Sequence, residues 1–143
     1  MRRTAILLAL LCGVAFAQAP AVPTNVSSIV TVGWWQDGQK SGTYRVVVVS
    51  QGWEHVWSQA YVEWLAEPRD RYSLQEVVQV KELVPPIAQG TAVLSVAARP
   101  RRVGELAITV SATSNAQAKA KATHFLYCAR TPGVVEPCPA TRK

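Results

Sequence analysis

The chain has 143 residues, of which 49% are hydrophobic and 17% charged, and it carries a formal net charge of +6. This length suits one domain that is large enough to bury a core. After the N-terminal leader, no apolar run reaches the roughly 20 residues that a membrane-spanning helix needs. Nucleic acid is not an expected partner, because the chain looks exported and has no recognition motif for it.

The first 17 residues are predicted to be a secretory signal peptide. Arg2 and Arg3 precede a mainly apolar run, and Ala15-Phe16-Ala17 forms a small-x-small cleavage site. We expect cleavage after Ala17, which would deliver the chain to the periplasm, the cell surface or the medium. The Ala-, Arg- and Val-rich composition together with the short leader is typical of a bacterial protein.

The N-terminal part of the mature chain is predicted to form strands. Residues 18–26 are rich in Pro and Ala and are interpreted as a flexible lead-in to a domain over residues 27–128. β-Branched and aromatic residues predict a strand over 27–35, and a turn follows over 36–42. Four consecutive valines within residues 43–50 disfavour a helix and predict a strand that is covered on both faces of its sheet.

The middle of the chain contains one clear strand and one ambiguous segment. Residues 56–65 read as a long strand after the break at Gln51-Gly52. Residues 72–83 contain Ser73 and Glu76 at capping-box spacing, which fits a helix, but also three valines that favour a strand. We interpret this segment as a strand, because its neighbours are strands and two prolines end it.

The C-terminal part is predicted to form three further strands. Residues 91–99 alternate, with Ala92, Leu94, Val96 and Ala98 on one face. Residues 100–102 are expected to be a tight connection, and residues 103–112 to alternate with Leu106, Ile108 and Val110 on one face. In residues 119–128 we expect an inward row with a partly buried histidine: Ala120, Ala122, His124 and Leu126.

About seven short strands predict an all-β, antiparallel β-sandwich of immunoglobulin-like architecture, with a small β-barrel as the alternative. The cysteine and tryptophan spacing of true immunoglobulin domains is absent, so the likeness concerns architecture only. Residues 129–143 are predicted to be a C-terminal loop and tail. A disulfide between Cys128 and Cys138 is expected to fasten this tail, since both cysteines belong to an exported chain.

Three of the five tryptophans lie in residues 53–64, where strand alternation divides the side chains into two rows. One row is small or apolar and predicts a core: Val56, Ser58, Ala60, Val62 and Trp64. The other mixes rings with polar groups and is the candidate binding site: Trp53, His55, Trp57, Gln59, Tyr61 and Glu63. This second row either is covered by a loop or the tail, or is a surface that binds another molecule. Trp34 and Trp35 are adjacent, so one of them should extend each row.

No catalytic or metal-binding pattern stands out, and we expect neither an enzyme nor a cofactor. The motifs GxSxG and HExxH and a phosphate loop are absent. A triad of Ser58, His55 and Glu63 is disfavoured, because Ser58 points to the opposite strand face from the other two.

Basic residues concentrate in the C-terminal third, where residues 99–143 carry eight Lys or Arg against two acidic residues. Such a surface suits an anionic envelope polymer, lipid headgroups or an acidic protein, although it can also serve solubility alone. The residues assigned to this basic patch are Arg99, Arg101, Arg102, Lys119 and Lys121.

These observations favour a small exported module that works by binding. The first hypothesis is an interaction or accessory module of a cell-envelope surface or secretion assembly, whose partner is an envelope protein or a further copy of the chain. Two alternatives are a carbohydrate-binding module, with rings stacked on sugars, and an inhibitor of a secreted hydrolase that presents the disulfide loop.

Overall fold

The computed structural model describes residues 23–52, 57–85, 90–114 and 120–139, so the predicted signal peptide and most of the lead-in lie outside the described residues. The described residues form eight strands: β1 (Val26–Asp37), β2 (Lys40–Gln51), β3 (Trp57–Ala66), β4 (Val77–Leu83), β5 (Thr91–Arg102), β6 (Glu105–Ser114), β7 (Thr123–Ala129) and β8 (Val135–Pro137). The prediction of an all-β antiparallel sandwich is confirmed, with eight strands in place of about seven. The additional strand, β8, lies in the segment that was predicted to be loop.

The strands form two antiparallel sheets whose order follows the chain. The N-terminal sheet has the order β1-β2-β3-β4, and the C-terminal sheet has the order β5-β6-β7-β8. β5 contacts β1, β2 and β3 across the interior. Each sheet is therefore a meander, and the described strands lack the Greek-key connections of immunoglobulin domains.

Glycines with positive φ close the tightest hairpins. Gly38 (φ 59°) lies between the paired residues Asp37 and Lys40, and Gly104 (φ 72°) lies between Arg102 and Glu105. Two-residue hairpin loops need such conformations, which glycine adopts without steric cost. The predicted turns were wrong in extent: Ser41-Gly42 belongs to β2, and residues 100–102 belong to β5.

The core consists of alternate residues from both sheets. Two predicted rows are confirmed: the small and aromatic row of β3 and the aliphatic row of β6. The expected cover on both faces of the β2 valines was wrong, because only Val46 and Val48 are buried. β2 and β3 bury alternate residues with a period of two, whereas β6 also buries Ala107 and Ser111 on its other face. The buried cluster includes Tyr44, Val46, Val48, Ala60, Val62, Trp64, Leu106, Ile108, Val110 and Ala112.

The predicted inward row of β5 is only partly right. An irregularity in pairing lies between Val93 and Ser95, and it shifts the alternation by one residue. Val93, Val96 and Ala98 therefore pack against the core, whereas Leu94 is 58% exposed. Nothing in the sequence marks this bulge, because every residue near it suits a strand.

The predicted inward row of β7 was wrong by one residue. Phe125 and Tyr127 pack against the core, whereas Leu126 and His124 are exposed. Apolar residues occupy both faces of this strand, so its sequence does not distinguish the buried face. The pairing of Val110 with Phe125 and of Ile108 with Tyr127 decides it.

The ambiguous segment 72–83 is a strand only from Val77 onward. Before it, the Asp70 carboxylate accepts hydrogen bonds from the amides of Tyr72 and Ser73, at 2.8 and 2.9 Å, and from the Ser73 hydroxyl at 2.8 Å. These bonds, the Ser73 hydroxyl first, lower the pKa of Asp70. Ser73 thus stabilises a turn and does not cap a helix.

The C-terminal segment is fastened to the sandwich. Cys128 and Cys138 lie at disulfide distance, with their Cα atoms 4.9 Å apart, as predicted. Between them, β8 pairs with β7. The carbonyl of Arg130 accepts hydrogen bonds from the Tyr44 hydroxyl at 2.9 Å and from the Trp64 indole at 2.7 Å. Two large core rings therefore find polar partners in the backbone that follows β7.

Candidate functional site

The predicted binding row lies on the face of the N-terminal sheet that points away from the C-terminal sheet, and we call it the outer face. On β3, Ser58 and its inward neighbours are buried, and the intervening residues point outward. Four predicted site residues are described there: Trp57, Gln59, Tyr61 and Glu63. Trp53, His55 and Val56, the last of which was predicted to face the core, lie outside the described residues.

Neighbouring strands extend this row into a broad face. Tyr61 pairs with Val47 of β2 and with Glu82 of β4, and Val47 in turn pairs with Ile29 of β1. Directly paired residues of antiparallel strands project on the same side of a sheet. The outer face therefore comprises Ile29, Trp34, Arg45, Val47, Trp57, Gln59, Tyr61, Glu63, Val80 and Glu82.

The tryptophans divide between the core and the outer face. Trp35 and Trp64 are fully buried, whereas Trp34 is 45% and Trp57 is 40% exposed. Trp34 pairs with Thr43, which points outward, while its neighbour Trp35 points into the core. The expectation that adjacent tryptophans occupy opposite faces is confirmed for this pair.

Exposed apolar side chains concentrate on this half of the molecule. Nine of the thirteen large apolar residues that are exposed among the described residues belong to the N-terminal sheet, to the loop before β4 or to the residue after it. Single exposed apolar residues are ordinary, but a cluster on one side indicates a contact surface.

Polar groups on the outer face pair with one another. Arg45 forms an ion pair with Glu63 across β2 and β3. Gln59 donates a hydrogen bond from Nε2 to a carboxylate oxygen of Glu82 at 2.9 Å. Burial first, and the charge of Glu82 second, raises the pKa of Tyr61, so its hydroxyl stays protonated at neutral pH. The face thus presents rings beside one ion pair and beside the hydrogen-bonded side chains of Gln59 and Glu82.

A small cavity of about 180 Å³ adjoins Trp57 at one end of the outer face. Gln59, Glu82 and the chain after β4 complete its lining. Ser58 also borders it, but its hydroxyl accepts a hydrogen bond from the Val93 amide at 2.7 Å. Ser58 therefore links β3 to β5 and faces the core, on the opposite side of the strand from the carboxylate of Glu63.

The loop before β4 borders the other end of the outer face. Gln75 donates a hydrogen bond from Nε2 to the Thr43 hydroxyl at 3.2 Å, and Leu65 at this end is buried. Tyr72 and Leu74 on this loop are 81% and 89% exposed. The loop therefore adds two apolar side chains to the rim of the surface.

The structure does not gather the predicted basic patch in one place. Arg99 and Lys121 are exposed, but Lys121 precedes β7, at the end of the C-terminal sheet opposite the turn between β5 and β6. Lys119 lies outside the described residues. Arg101 and Arg102 flank that turn and both bind the buried carboxylate of Glu105.

This ion cluster, to which Arg130 also belongs, was not predicted from the sequence. Glu105 accepts hydrogen bonds from Arg101 at 3.2 Å, from Arg102 at 2.7 and 3.0 Å, and from Arg130 at 2.8 Å. Burial raises the pKa of Glu105, but hydrogen bonds from Arg130 and Arg102 outweigh burial and hold it below its usual value. Recognising a two-residue hairpin turn at Val103-Gly104 would have predicted part of this cluster from the sequence, since such a turn places Arg102 opposite Glu105.

The described residues contain no group of three or more His, Cys, Asp or Glu side chains that could hold a metal ion. In the same ranges, no helix is long and apolar enough to cross a membrane. Comparison with known proteins finds no matching family model, no matching curated protein and no matching solved structure. The case for function therefore depends on the geometry of the outer face.

Proposed function

We propose that this protein is an exported interaction module that binds a protein partner through the outer face. The observation that carries the proposal is the alignment of Ile29, Trp34, Trp57 and Val80 on one sheet face, each with 40% or more of its surface exposed. Leaving such side chains in water forgoes about 25 cal/mol for each Å² that a partner would cover. Tyr and Trp are also the residues most often found at the energetic centre of protein interfaces.

The pairing of polar groups favours a protein partner over a carbohydrate. A sugar-binding platform needs polar groups free to bond hydroxyls, but Gln59 is engaged with Glu82, and Glu63 with Arg45. A protein surface can cover rings and polar side chains that already bond to each other without supplying a new partner to each of them. We therefore assign the face to protein contact and treat sugar binding as an outcome of the test.

Export to a cell envelope rests on two observations. The first 17 residues have the layout of a secretory signal peptide. Cys128 and Cys138 lie at disulfide distance, and disulfides persist in oxidising compartments. The intact mass of the exported protein, purified after expression with its own leader, tests this part directly. A mass that retains residues 1–17 contradicts it.

The outer face is tested with the double variant Trp57→Ala/Tyr61→Ala. Because truncating a ring at the centre of an interface costs about 1–2 kcal/mol or more, partner retention should fall at least tenfold. The measurement is quantitative recovery of the partner from envelope extract on the immobilised chain, followed by titration with that purified partner. Leu126→Ala is the matched control, because Leu126 is 43% exposed on the other sheet.

Three results would count against the proposal. Equal partner recovery by the double variant and the wild type would show that the face is not the contact surface. An equal loss with Leu126→Ala would show a general effect on the fold. A saturable change in tryptophan fluorescence with envelope polysaccharide, abolished in the double variant, would assign the face to carbohydrate instead.

A further inference from the structure

We infer that two copies of this chain associate through β4, pairing antiparallel so that Val80 lies opposite its counterpart in the second copy. The two N-terminal sheets would then form one continuous sheet of eight strands. This inference goes beyond the proposed function and holds whether or not the outer face binds a partner.

β4 is unusually open for a strand at the edge of a sandwich. It pairs only with β3 among the described strands, and six of its seven residues are exposed. Val77, Val78 and Val80 are between 40% and 45% exposed. A valine-rich edge with unpaired backbone groups is a template for a further strand.

The other three edge strands carry features that hinder such pairing. β1 has two irregularities in register, one of them at Gly33, and β5 has two irregularities and contains Pro100. β8 has only three residues and ends at Pro137. Bulges, prolines and shortness are the usual means by which proteins protect sheet edges.

β4 has less protection along its length. Its one irregularity lies at its start, opposite Trp64 and Leu65, so Gln79 to Leu83 pair regularly with β3. Lys81 is the single cation on the strand, and an inward-pointing lysine is a common guard of sheet edges. In the proposed register Lys81 meets Gln79 of the second copy, so it does not oppose this particular pairing.

Among the registers that pair most of β4, charge selects one. Directly paired residues of antiparallel strands point to the same side of the sheet. The register between the two copies can therefore shift only in ways that keep inward side chains opposite inward side chains. Centring the pair on Lys81 would place Lys81 opposite itself, and centring it on Gln79 would place Glu76 opposite Glu82. Centring it on Val80 opposes no like charges. Its pairs are Val80 with Val80, Gln79 with Lys81, Val78 with Glu82 and Val77 with Leu83.

The size of the contact predicts a weak dimer. One seven-residue strand from each copy makes an interface below the usual size of stable complexes. We expect a dissociation constant on the order of micromolar and a dimer that forms and separates with concentration. A two-fold pairing closes on itself, so the mass should not exceed two copies.

Sedimentation equilibrium tests the register with matched lysine variants of two neighbouring exposed valines. The chain is expressed with its own leader, purified after export and measured from about 1 µM to about 500 µM, the range in which a small interface dissociates. Val80→Lys places two ammonium groups opposite each other and should weaken the dimer about fivefold. Val78→Lys places a lysine opposite Glu82 of the second copy and should preserve or strengthen it.

Variants of opposite charge at position 80 distinguish the loss of this particular register from a general loss of pairing at the β4 edge. Val80→Lys and Val80→Glu should each dimerise about fivefold more weakly than the wild type, and an equal mixture should recover the dimer. Thermal unfolding of each variant verifies that the monomers are folded, and Trp57→Ala/Tyr61→Ala should dimerise as the wild type does. Wild type that stays at the mass of one chain, equal weakening by both lysine variants, no recovery on mixing, or growth beyond two copies would each overturn the inference.

Discussion

The ion cluster at the turn between β5 and β6 should contribute measurably to stability, and Glu105→Gln is the substitution that tests it. The side chain of Glu105 is 2% exposed and accepts four N–H donations from Arg101, Arg102 and Arg130. A glutamine of the same shape keeps one carbonyl acceptor. It also turns an amide donor toward the guanidinium groups, so the pairing is lost while the packing is largely kept.

The expected loss follows from opposing contributions. Hydrogen bonds to charged groups stabilise by about 1.5–3 kcal/mol each, but burying the carboxylate costs several kcal/mol. The three arginine side chains are between 30% and 65% exposed, so water can solvate their charges in the variant. We therefore expect the free energy of unfolding to fall by about 2–4 kcal/mol, toward the lower part of the range for broken buried ion pairs.

Urea unfolding followed by the fluorescence of the buried Trp35 and Trp64 measures this difference. Glu76→Gln is the control, because Glu76 is exposed and its ion pair with Arg69 spans 4.0 Å. Loss of this exposed ion pair should change the free energy of unfolding by less than about 0.5 kcal/mol. If Glu105→Gln proves no more harmful than this control at pH 7, the cluster is not a source of stability.

Acid provides a second test of the same residue. The pKa of Glu105 is lower in the folded state than in the unfolded state. Ionised Glu105 therefore stabilises the folded state at any pH that is high enough to ionise this carboxyl in the unfolded chain. The stabilisation by Glu105 is complete at pH values above its pKa in the unfolded state. It is lost as the pH falls through its pKa in the folded state. The difference in free energy of unfolding between wild type and Glu105→Gln should therefore become smaller in acid. A difference that stays constant down to about pH 3 contradicts the assignment.

Three further substitutions probe the core and the C-terminal segment, each measured by urea unfolding. Tyr44→Phe removes a buried hydroxyl that donates to backbone carbonyls, and we expect the free energy of unfolding to fall by about 1–2 kcal/mol. An unchanged free energy of unfolding would mean that water replaces the hydroxyl as the donor to these carbonyls. Gly42→Ala would place a methyl group against the carbonyl oxygen of Leu65, and we expect a loss of about 1–3 kcal/mol, whereas unchanged stability would show that the strands can separate locally. Serine at both Cys128 and Cys138, which are ten residues apart, should cost about 3 kcal/mol by the chain-entropy estimate, and wild type in reductant should match this variant.

Strand positions were predictable where one face of a strand is buried and the other is wet. β3 follows this pattern, and its inward row was predicted correctly for every described residue. The predicted row of β6 is also buried, although Ala107 and Ser111 on its other face are buried too, and the valines of β2 are buried on one face and not on both as expected. The predictions for β5 and β7 failed at Leu94 and Leu126, where apolar residues occupy both faces. A bulge or a pairing register then decides the buried side, and neither leaves a local signal.

The candidate site was predictable as a row but not as a surface. Alternation alone separated Trp57 and Tyr61 from the core row of β3, because successive strand residues point to opposite faces. The neighbours that make the row a surface, Ile29, Trp34 and Val80, come from strands distant in the sequence. Only their pairing shows that the rings share a face with the Arg45–Glu63 ion pair.

Local chemistry determines several properties of this protein by itself. Consecutive β-branched residues exclude helices, glycines at hairpin turns allow the chain to reverse, and two cysteines in a short C-terminal loop can be joined. The tertiary structure decides which faces are buried, that Arg130 joins Arg101 and Arg102 around Glu105, and that β4 is an open edge among the described strands. The physical reason is that these properties depend on contacts between residues far apart in the chain, which no local pattern encodes.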